Sequence, residues 1–466
     1  MSVIGLDIGT TRIKALLHDE QRPDLPVAAA QTPVIASPDG DLRDAEAVVH
    51  VARECIAQLV APLSAAERSR VDGIGIASLS EEVVLTDGFG LSVAPMPTWY
   101  ATVMRDESER AGLNPSFSWS KLRWAREHLP AEAVDAVRGV TSLAGYVAAR
   151  LAADATPSME YSHASRTGFF AVDERRWDAQ VFETSGWSAA LLPELEPSGS
   201  VLGAVAAECR SAWGIPATAA VAVCGHDHLC AAFAAGVRRP GRIFLSSGTS
   251  EAHLLLVDDV GGAQVPEHVQ IGRFVDDRSF YLHAHLPSGH LHAHLTQLTG
   301  GAERLAELEH QALDEPIGAN GLVCTPRVGA DPGYSVRGLS AHAGAASFVR
   351  AAQEGMALAA WDLDEALAAH AGETASLVIA TGAATANPLW RRIRASAGVA
   401  PLEVTEEPEL TALGAALVFR AVVLGEDPEP VRRVSIAGEP DETEPYRRLR
   451  SARIGMAGGA PEEADR

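Results

Sequence analysis

The chain has 466 residues, of which 47% are hydrophobic and 21% are charged. Because a domain usually takes about 100 to 200 residues, this length predicts two large domains. The net charge of −23 argues against a nucleic-acid surface, which needs a basic face to displace counterions. No run of about 18 apolar residues occurs, so we expect no membrane span.

The sequence also indicates where the protein works. The chain does not open with a basic segment followed by an apolar one, so nothing resembles a signal peptide. Its five cysteines lack CxxC spacing, which is typical of reduced thiols, and we therefore expect a cytoplasmic protein. Any mechanism that requires a lysine has two candidates, because lysine occurs only at Lys14 and Lys121.

The first predicted element is a strand, a tight turn and a second strand over residues 4–19, and the same pattern returns at residues 243–258. The segments read IGLDIGTTRIKALLHD and IFLSSGTSEAHLLLVD. They share a Gly-Thr turn, a pair of leucines and a final aspartate at matching positions. Because each copy lies near the start of one half of the chain, we interpret the similarity as an internal duplication.

Such a turn suits a phosphate group. Glycine allows close backbone approach, and consecutive amides and hydroxyls can donate to phosphate oxygens. One turn alone is more typical of an ordinary β-hairpin, but the pair favours two phosphate clamps. The predicted phosphate-binding residues are Gly9, Thr10, Thr11, Gly248, Thr249 and Ser250.

A carboxylate precedes only the first turn. Asp7 stands before it, whereas Ser246 occupies the matching place in the second copy. Mg²⁺ prefers a few hard oxygen ligands together with waters and substrate phosphates. Asp7 is therefore the predicted Mg²⁺ ligand.

Other phosphate-binding designs do not fit the sequence. No GxxxxGK[ST] motif occurs, so a P-loop is not predicted. The segment GIGIAS at 73–78 begins like a dinucleotide-binding fingerprint but has Ser78 where the third glycine belongs.

The remaining predicted elements alternate strands and helices. In chain order they are a strand at 71–79, a hairpin at 81–93, a helix at 121–130, a strand, glycine loop and helix at 219–237, a connection at 238–241, and a second strand, loop and helix at 376–398. The tail from about residue 455 is rich in glycine, alanine and acids, and we expect it to be mobile.

Two histidine-rich stretches raise the question of a metal. CGHDHLC at 224–230 places two cysteines and two histidines around Asp227, and HAHLPSGHLHAH at 283–294 alternates histidines. Zn²⁺ sites usually gather ligands with paired spacings, and small residues after a strand often only fill core space. We therefore favour non-metal interpretations of both stretches, and the metal alternative stays open.

In combination these motifs resemble the FGGY carbohydrate kinases. The resemblance rests on GLDIGTTRIKALLHD, SHASRTGFF at 162–170, LLPELEPSGSVLGAV at 191–205, GHDH, SSGTS at 246–250 and the segment 382–417. It implies an α/β fold of two actin-like (ribonuclease H-like) domains with a cleft between them. The expected division is an N-terminal domain at 1–238, a C-terminal domain at 239–455 and a mobile tail at 456–466.

The resemblance also implies roles for single residues. Asp227 would be the general base, His228 would contact the substrate, and His226 would pack or hydrogen-bond beside it. Gly382, Ala383 and Asn387 would bind the nucleotide, although Ala383 and Ala384 replace glycines that are common in the family. The substrate candidates from the N-terminal half are Glu81, Trp99 and Arg105, the last because Ala101 stands where an acid is usual.

The implied function is ATP-dependent, Mg²⁺-assisted phosphorylation of a sugar hydroxyl, similar to a xylulokinase. A ketopentose such as xylulose or ribulose is the first choice, with a hexulose, polyol or aldonate as alternatives, and a homodimer is an open option. Two other classes remain. An actin-like ATPase or scaffold would share both phosphate turns, and a metal-dependent hydrolase would use the histidines but leave the turns unexplained.

Overall fold

The computed structural model describes residues 1–457 except 23, 39, 249, 261–265, 267 and 328–332, and it describes no side chain from 454 to 457. The chain forms two compact units. The first comprises residues 1–236, 271–280 and 409–431, and the second comprises 237–270, 281–408 and the part from 432 onward. The domain division at 238/239 stays a prediction. Of the expected mobile tail, residues 458–466 lie outside the described residues.

The strands and helices before residue 237 are short to moderate in length. The strands are β1 Ser2–Ile8, β2 Arg12–Asp19, β3 Val27–Gln31, β4 Leu42–Arg43, β5 Val71–Ser78, β6 Val83–Thr86, β7 Met96–Pro97, β8 Gly139–Ser142, β9 Met159–Glu160, β10 Phe170–Ala171, β11 Arg176–Trp177, β12 Leu195–Glu196, β13 Val201–Ala204 and β14 Ala220–His226. The helices are α1 Ala45–Val60, α2 Ala65–Arg68, α3 Arg105–Arg110, α4 Ser118–His128, α5 Ala131–Ala136, α6 Leu143–Leu151, α7 Tyr161–Ala164, α8 Ala179–Glu183, α9 Ala207–Trp213 and α10 Asp227–Ala235.

The elements after residue 237 include the longest helix described. The strands are β15 Arg242–Ser247, β16 Glu251–Val257, β17 Gln270–Arg273, β18 Phe280–Leu286, β19 Val323–Arg327, β20 Gly333–Arg337, β21 Leu377–Thr381, β22 Leu402–Thr405 and β23 Arg433–Ile436. The helices are α11 Ser288–Thr299, α12 Ala302–Gln311, α13 Ala345–Ala371, α14 Pro388–Ser396, α15 Leu410–Val422 and α16 Thr443–Ala457. None of the helices in the described part of the chain is long and apolar enough to cross a membrane.

The two units share a local strand arrangement. In the first unit, within the described residues, a sheet has the order β13, β14, β5, β1, β2, β3, with β1 antiparallel to β2 and parallel to β5. In the second unit, β22, β21, β15 and β16 lie side by side, with β15 antiparallel to β16 and parallel to β21. The predicted strand, turn and strand is thus present in both halves, as an internal duplication requires.

The side chains of the central strands point alternately to the two faces of the first sheet, and both faces are covered by helices. Ile4, Leu6 and Ile8 of β1 point into a hydrophobic core with α1 and α6. Because successive side chains alternate, Gly5 and Asp7 point to the opposite face. That face carries α10 and α15.

Helix α15 comes late in the chain but packs on the first sheet at very short range. A Cβ added to Gly5 would lie 1.8 Å from the Ala412 carbonyl oxygen, and one added to Gly75 would lie 2.4 Å from that of Ala415. Only glycine fits at such an approach of helix to strand. The glycines of GIGIAS therefore serve helix packing, which explains why the segment is only a partial dinucleotide fingerprint.

Most predicted elements are confirmed by the structure. The strand predicted at 71–79 corresponds to β5, and the helix predicted at 121–130 overlaps α4, which ends at His128. The segments 219–237 and 376–398 contain β14–α10 and β21–α14. The hairpin at 81–93 is only partly correct. The chain does turn back at residues 87–91, with a bridge between Thr86 and Ser92, but the longer strand ladder of β6 is formed with β8.

We expect Gly75→Ala to destabilise the first unit. The added methyl meets a backbone oxygen, which cannot rotate away, so the cost should be about 1–3 kcal/mol, as for other overpacked cores. Calorimetric melting should show the affected transition several degrees lower. Gly88→Ala is the matched control, because its Cβ would meet only the Arg138 side chain at 3.8 Å. Equal melting of the two variants would contradict the packing argument.

Candidate active site

The first predicted phosphate turn connects β1 to β2 and contacts a tryptophan. The Gly9 amide donates to the Arg12 carbonyl at 3.1 Å, which closes the turn, and the Thr11 side chain is exposed. Trp99 Nε1 donates to Thr10 Oγ1 at 2.9 Å. The structure therefore brings two predicted site residues together that are far apart in the sequence.

Asp7 lies at the end of β1 in an unfavourable environment for its charge. Burial raises the pKa of its carboxyl to about 8, and the negative charges of Asp227 and Glu409 act in the same direction, against the positive charge of Lys14. Lys14 itself pairs with Glu409 at 2.7 Å. Asp7 Oδ1 is buried and has no hydrogen-bond partner among the described residues.

These properties fit a hard cation at Asp7. A carboxylate oxygen without a donor, surrounded by further carboxylates, is stabilised when a divalent ion neutralises the charge. The predicted Mg²⁺ ligand thus has the donor atom and the electrostatic environment that the ion needs, although the ion itself is a proposal.

Asp227 is the first residue of α10, directly after β14. Its Oδ1 lies 2.9 Å from His226 Nε2 and accepts the His228 amide hydrogen at 2.6 Å. Burial alone would raise the pKa of Asp227, but the two histidines outweigh it and hold the pKa below its usual range. The side chain is 21% exposed. An ionised, accessible carboxylate is what a proton acceptor requires.

A buried hydrogen-bond network supports the loop that carries Asp227. The His226 amide donates to Ser162 Oγ at 2.8 Å, and Ser162 Oγ donates to Glu160 Oε2 at 2.6 Å. Glu160 also accepts from Ser198 Oγ at 2.5 Å and contacts His163 Nδ1 at 2.9 Å. One buried carboxylate therefore fixes the backbone that precedes the predicted base.

Glu81 is held in a buried ion pair. Its Oε1 accepts from Arg166 Nε at 2.9 Å and from a terminal guanidinium nitrogen at 2.5 Å. Burial opposes ionisation, but Arg166, His226 and Lys121 lower the pKa of Glu81 to about 2. Burial lowers the pKa of Lys121 to about 8, and its ammonium group donates to the Ser116 carbonyl. The charge of Glu81 is thus neutralised by the neighbouring Arg166.

The other substrate candidates differ in their surroundings. Trp99 is 37% exposed, and its amide donates to Glu82 Oε1 at 3.2 Å. Arg105 begins the short helix α3, is exposed and pairs with Glu109 at 3.4 Å. Ala101 is buried. The substrate role of Arg105 stays a prediction.

The second unit contains a cavity beside its phosphate turn. The cavity has a volume of about 610 Å³, and its lining includes Gly248, Ala383, Ala384 and Asn387. The Gly248 amide donates to the Ser250 carbonyl at 3.0 Å. Thr249, the third predicted residue of this turn, lies outside the described residues.

The predicted nucleotide residues occupy the end of β21 and the start of α14. Gly382 has φ of +101°, and a Cβ there would lie 2.1 Å from the Ser247 carbonyl oxygen, so this position requires glycine. Asn387 Oδ1 accepts the amide hydrogens of Leu389 and Trp390 and caps α14. The cap fixes the orientation of the helix that lines the cavity.

The histidines of 283–294 do not gather around one point. His283 is buried and His285 is exposed on β18, with ring centroids 4.3 Å apart, while His290, His292 and His294 lie on α11. Within the described residues, the group with metal-ligand geometry is instead His226, Asp227 and His228.

Comparison with known proteins decides the family. The model of the N-terminal domain of the FGGY family of carbohydrate kinases matches residues 2–234, and that of the C-terminal domain matches residues 244–420. The chain belongs to the FGGY family of carbohydrate kinases. As an FGGY protein it is a sugar kinase, which confirms the predicted enzyme class and the two-domain α/β fold.

Individual FGGY proteins similar to this chain act on different sugars. A xylulose kinase of Streptomyces rubiginosus is 28% identical over 469 residues, which cover 92% of this chain and 90% of the relative. The xylulose kinase from Rhodospirillum rubrum has a similar structure, with a TM-score of 0.85, 24% identity and 98% of each chain covered. The gluconate kinase from Lactobacillus acidophilus has a TM-score of 0.86 at 16% identity, covering 98% of this chain and 97% of that one.

Sequence reasoning missed the partners that surround the predicted FGGY site. Arg166 and Ser162 lie inside the quoted segment 162–170, but nothing local showed that they contact Glu81 and the His226 amide. Glu160 lies two residues before that segment begins. A carboxylate next to a serine-rich and histidine-rich motif was the available signal.

We expect Ser162→Ala to lower turnover of the kinase, because it leaves the His226 amide and one Glu160 oxygen without their shared hydroxyl. Leaving a buried donor or acceptor without its partner typically costs about 1–3 kcal/mol of stability. Ser198→Ala is the matched control, since it removes a hydrogen bond to the same Glu160 without touching the loop.

The measurement is kcat together with melting temperature for both variants. A positioning role predicts similar melting temperatures but a lower kcat only for Ser162→Ala. Equal losses of kcat in both variants would mean that the network contributes stability alone.

Proposed function

We propose that the protein transfers the terminal phosphoryl group of ATP to a hydroxyl of a ketopentose such as xylulose or ribulose. The proposal rests mainly on the ionisation and the accessibility of the Asp227 side chain. Its ionised carboxylate is partly exposed at the start of α10, within hydrogen-bond distance of His226 and within electrostatic reach of Asp7. The relatives named xylulose kinase support the choice of sugar.

In the proposed reaction, Asp227 accepts the proton of the sugar hydroxyl. The hydroxyl oxygen forms a bond to the γ-phosphorus of ATP, the bond from that phosphorus to the bridging oxygen breaks, and ADP leaves with the bonding electron pair. Because a carboxylate of low pKa is a weak base, the proton should move late, after the new bond has begun to form. His226 keeps the carboxylate oriented toward the hydroxyl.

Asp7 and the two turns would bind the phosphates. Asp7 would hold Mg²⁺, which when bound supplies positive charge to the phosphate oxygens. The amides and hydroxyls of Gly9, Thr10 and Thr11 would donate to the same group. In the second unit, Gly248, Thr249 and Ser250 are the other proposed phosphate-binding residues, and Gly382, Ala383 and Asn387 would bind the adenosine.

The sugar would contact Trp99, His228 and the Glu81–Arg166 pair. The exposed tryptophan face suits the CH groups of a sugar, while the ion pair offers both acceptor and donor atoms to hydroxyls. Because Glu81 is already neutralised by Arg166, we expect it to bind a neutral sugar without a change of protonation. Arg105 would act from the exposed helix α3.

An aldonate is the second candidate substrate. The structural similarity to a gluconate kinase favours it over a hexulose or polyol. Membership of the FGGY family favours a sugar kinase, with either substrate, over an actin-like scaffold or a metal-dependent hydrolase.

A panel of sugars tests the substrate. ADP release should be measured with xylulose, ribulose, a ketohexose, a polyol and gluconate, each at saturating Mg²⁺ and ATP. We expect the highest kcat/KM with a ketopentose. A higher value for gluconate would move the assignment to an aldonate kinase, and ADP release that no sugar stimulates would contradict the proposed reaction.

Asp227→Asn tests the base. The change preserves shape but removes the proton acceptor, and general-base catalysis is typically worth about 10²- to 10⁴-fold in rate. Turnover should fall by that factor while nucleotide affinity and melting temperature stay close to those of the wild type. Asp106→Asn, on the exposed face of α3, is the matched control. Near-normal turnover of Asp227→Asn would remove Asp227 from the mechanism.

A further inference from the structure

The start of α10 carries three donor atoms of a kind that suits a transition metal. His226, Asp227 and His228 each offer one donor atom, and these atoms all lie within 4.8 Å of one another. In a tetrahedral Zn²⁺ site, neighbouring ligand atoms are about 3.3 Å apart. The distance of 2.9 Å from His226 Nε2 to Asp227 Oδ1 is already close to that value.

We propose that this group is an inhibitory Zn²⁺ site, in which one ion binds His226, Asp227 and His228 and blocks the kinase reaction. The site would be separate in chemistry from the Mg²⁺ site at Asp7. Two imidazole nitrogens and one carboxylate oxygen match the ligand preference of Zn²⁺, whereas Mg²⁺ prefers oxygen ligands alone.

Three protein ligands leave a fourth position open. The Asp227 side chain is 21% exposed and His228 is half-buried, so an ion from solvent can reach the group. Water would complete the coordination, as in other sites with two histidines and one carboxylate.

The surroundings of His226 influence the affinity of the site for Zn²⁺. A histidine that binds a metal through one ring nitrogen usually donates the other N–H to a second group. His226 Nδ1 is buried and has no hydrogen-bond partner among the described residues. We therefore expect reversible binding of moderate affinity rather than a permanently bound structural ion.

The inhibition follows from the role of Asp227 and so rests on the proposed function. The carboxylate oxygen that binds Zn²⁺ is the atom that would accept the proton of the sugar hydroxyl. Zn²⁺ should therefore lower kcat/KM for the sugar at saturating Mg·ATP, and a zinc-selective chelator should restore it.

Zinc binding is measured first, without any assay of activity. Full-length protein competes with a chromophoric chelator for Zn²⁺, and we expect one ion per chain. His228→Gln and Asp227→Asn should each weaken binding more than about tenfold, since even the loss of a second-sphere partner costs 10- to 100-fold. His342→Gln, at an exposed histidine of the second unit, is the control and should bind normally.

Inhibition is then measured as the fold loss of sugar-dependent ADP release relative to the zinc-free rate of each protein. Wild type and His342→Gln should lose activity together as Zn²⁺ rises, and His228→Gln should need more than about ten times as much. Melting temperatures identify any variant that fails to fold, in which case His226→Gln replaces it.

The two assays separate this inference from the proposed function. Zinc binding that depends on His228 and Asp227 in a protein without sugar kinase activity would support the site but not the proposed reaction. An active kinase that binds no Zn²⁺, or binds it equally well in His228→Gln and in wild type, would overturn the site.

Discussion

The close contact between α15 and the glycines of β1 and β5 is the constraint on which the candidate site depends. Because a backbone oxygen of α15 replaces a side chain at Gly5, the helix lies directly on the sheet. Helix α15 also packs against α10, whose first residue is Asp227. Glu409 is the residue that directly precedes α15. Asp7, Asp227 and Glu409 therefore come into electrostatic contact from three distant parts of the sequence.

The electrostatics of this group explain how neighbouring carboxylates can have different properties. Asp227 has two histidines at hand, and they keep it ionised. Asp7 has Lys14 on the adjacent strand, but Lys14 also pairs with Glu409, so burial and the neighbouring carboxylates raise the pKa of Asp7 to about 8. The same residue type is thus ionised at Asp227 and favours the protonated form at Asp7, because the two side chains have different neighbours.

Sequence patterns predicted local elements better than the contacts between distant segments. The repeated Gly-Thr turns and the strand, glycine loop and helix around Asp227 depend on local geometry, which short-range preferences determine, and the structure has both. The ion pair of Glu81 with Arg166 and the path from Glu160 through Ser162 to the His226 amide join residues that are not adjacent in the chain. No local pattern indicates which buried donor will meet which acceptor. The pairing of β6 with β8 was missed for the same reason, since β8 lies more than fifty residues later.

The sequence by itself determined the alternating α/β class and the duplication of the strand, turn and strand, because each depends on short segments with a characteristic order of residue types. Tertiary structure decided which glycines serve packing, which unit receives α15, and how the charges around Asp7 and Asp227 differ. Those properties come from distances of a few ångströms between segments hundreds of residues apart. Coulomb interactions and steric exclusion depend on those distances and not on separation along the chain.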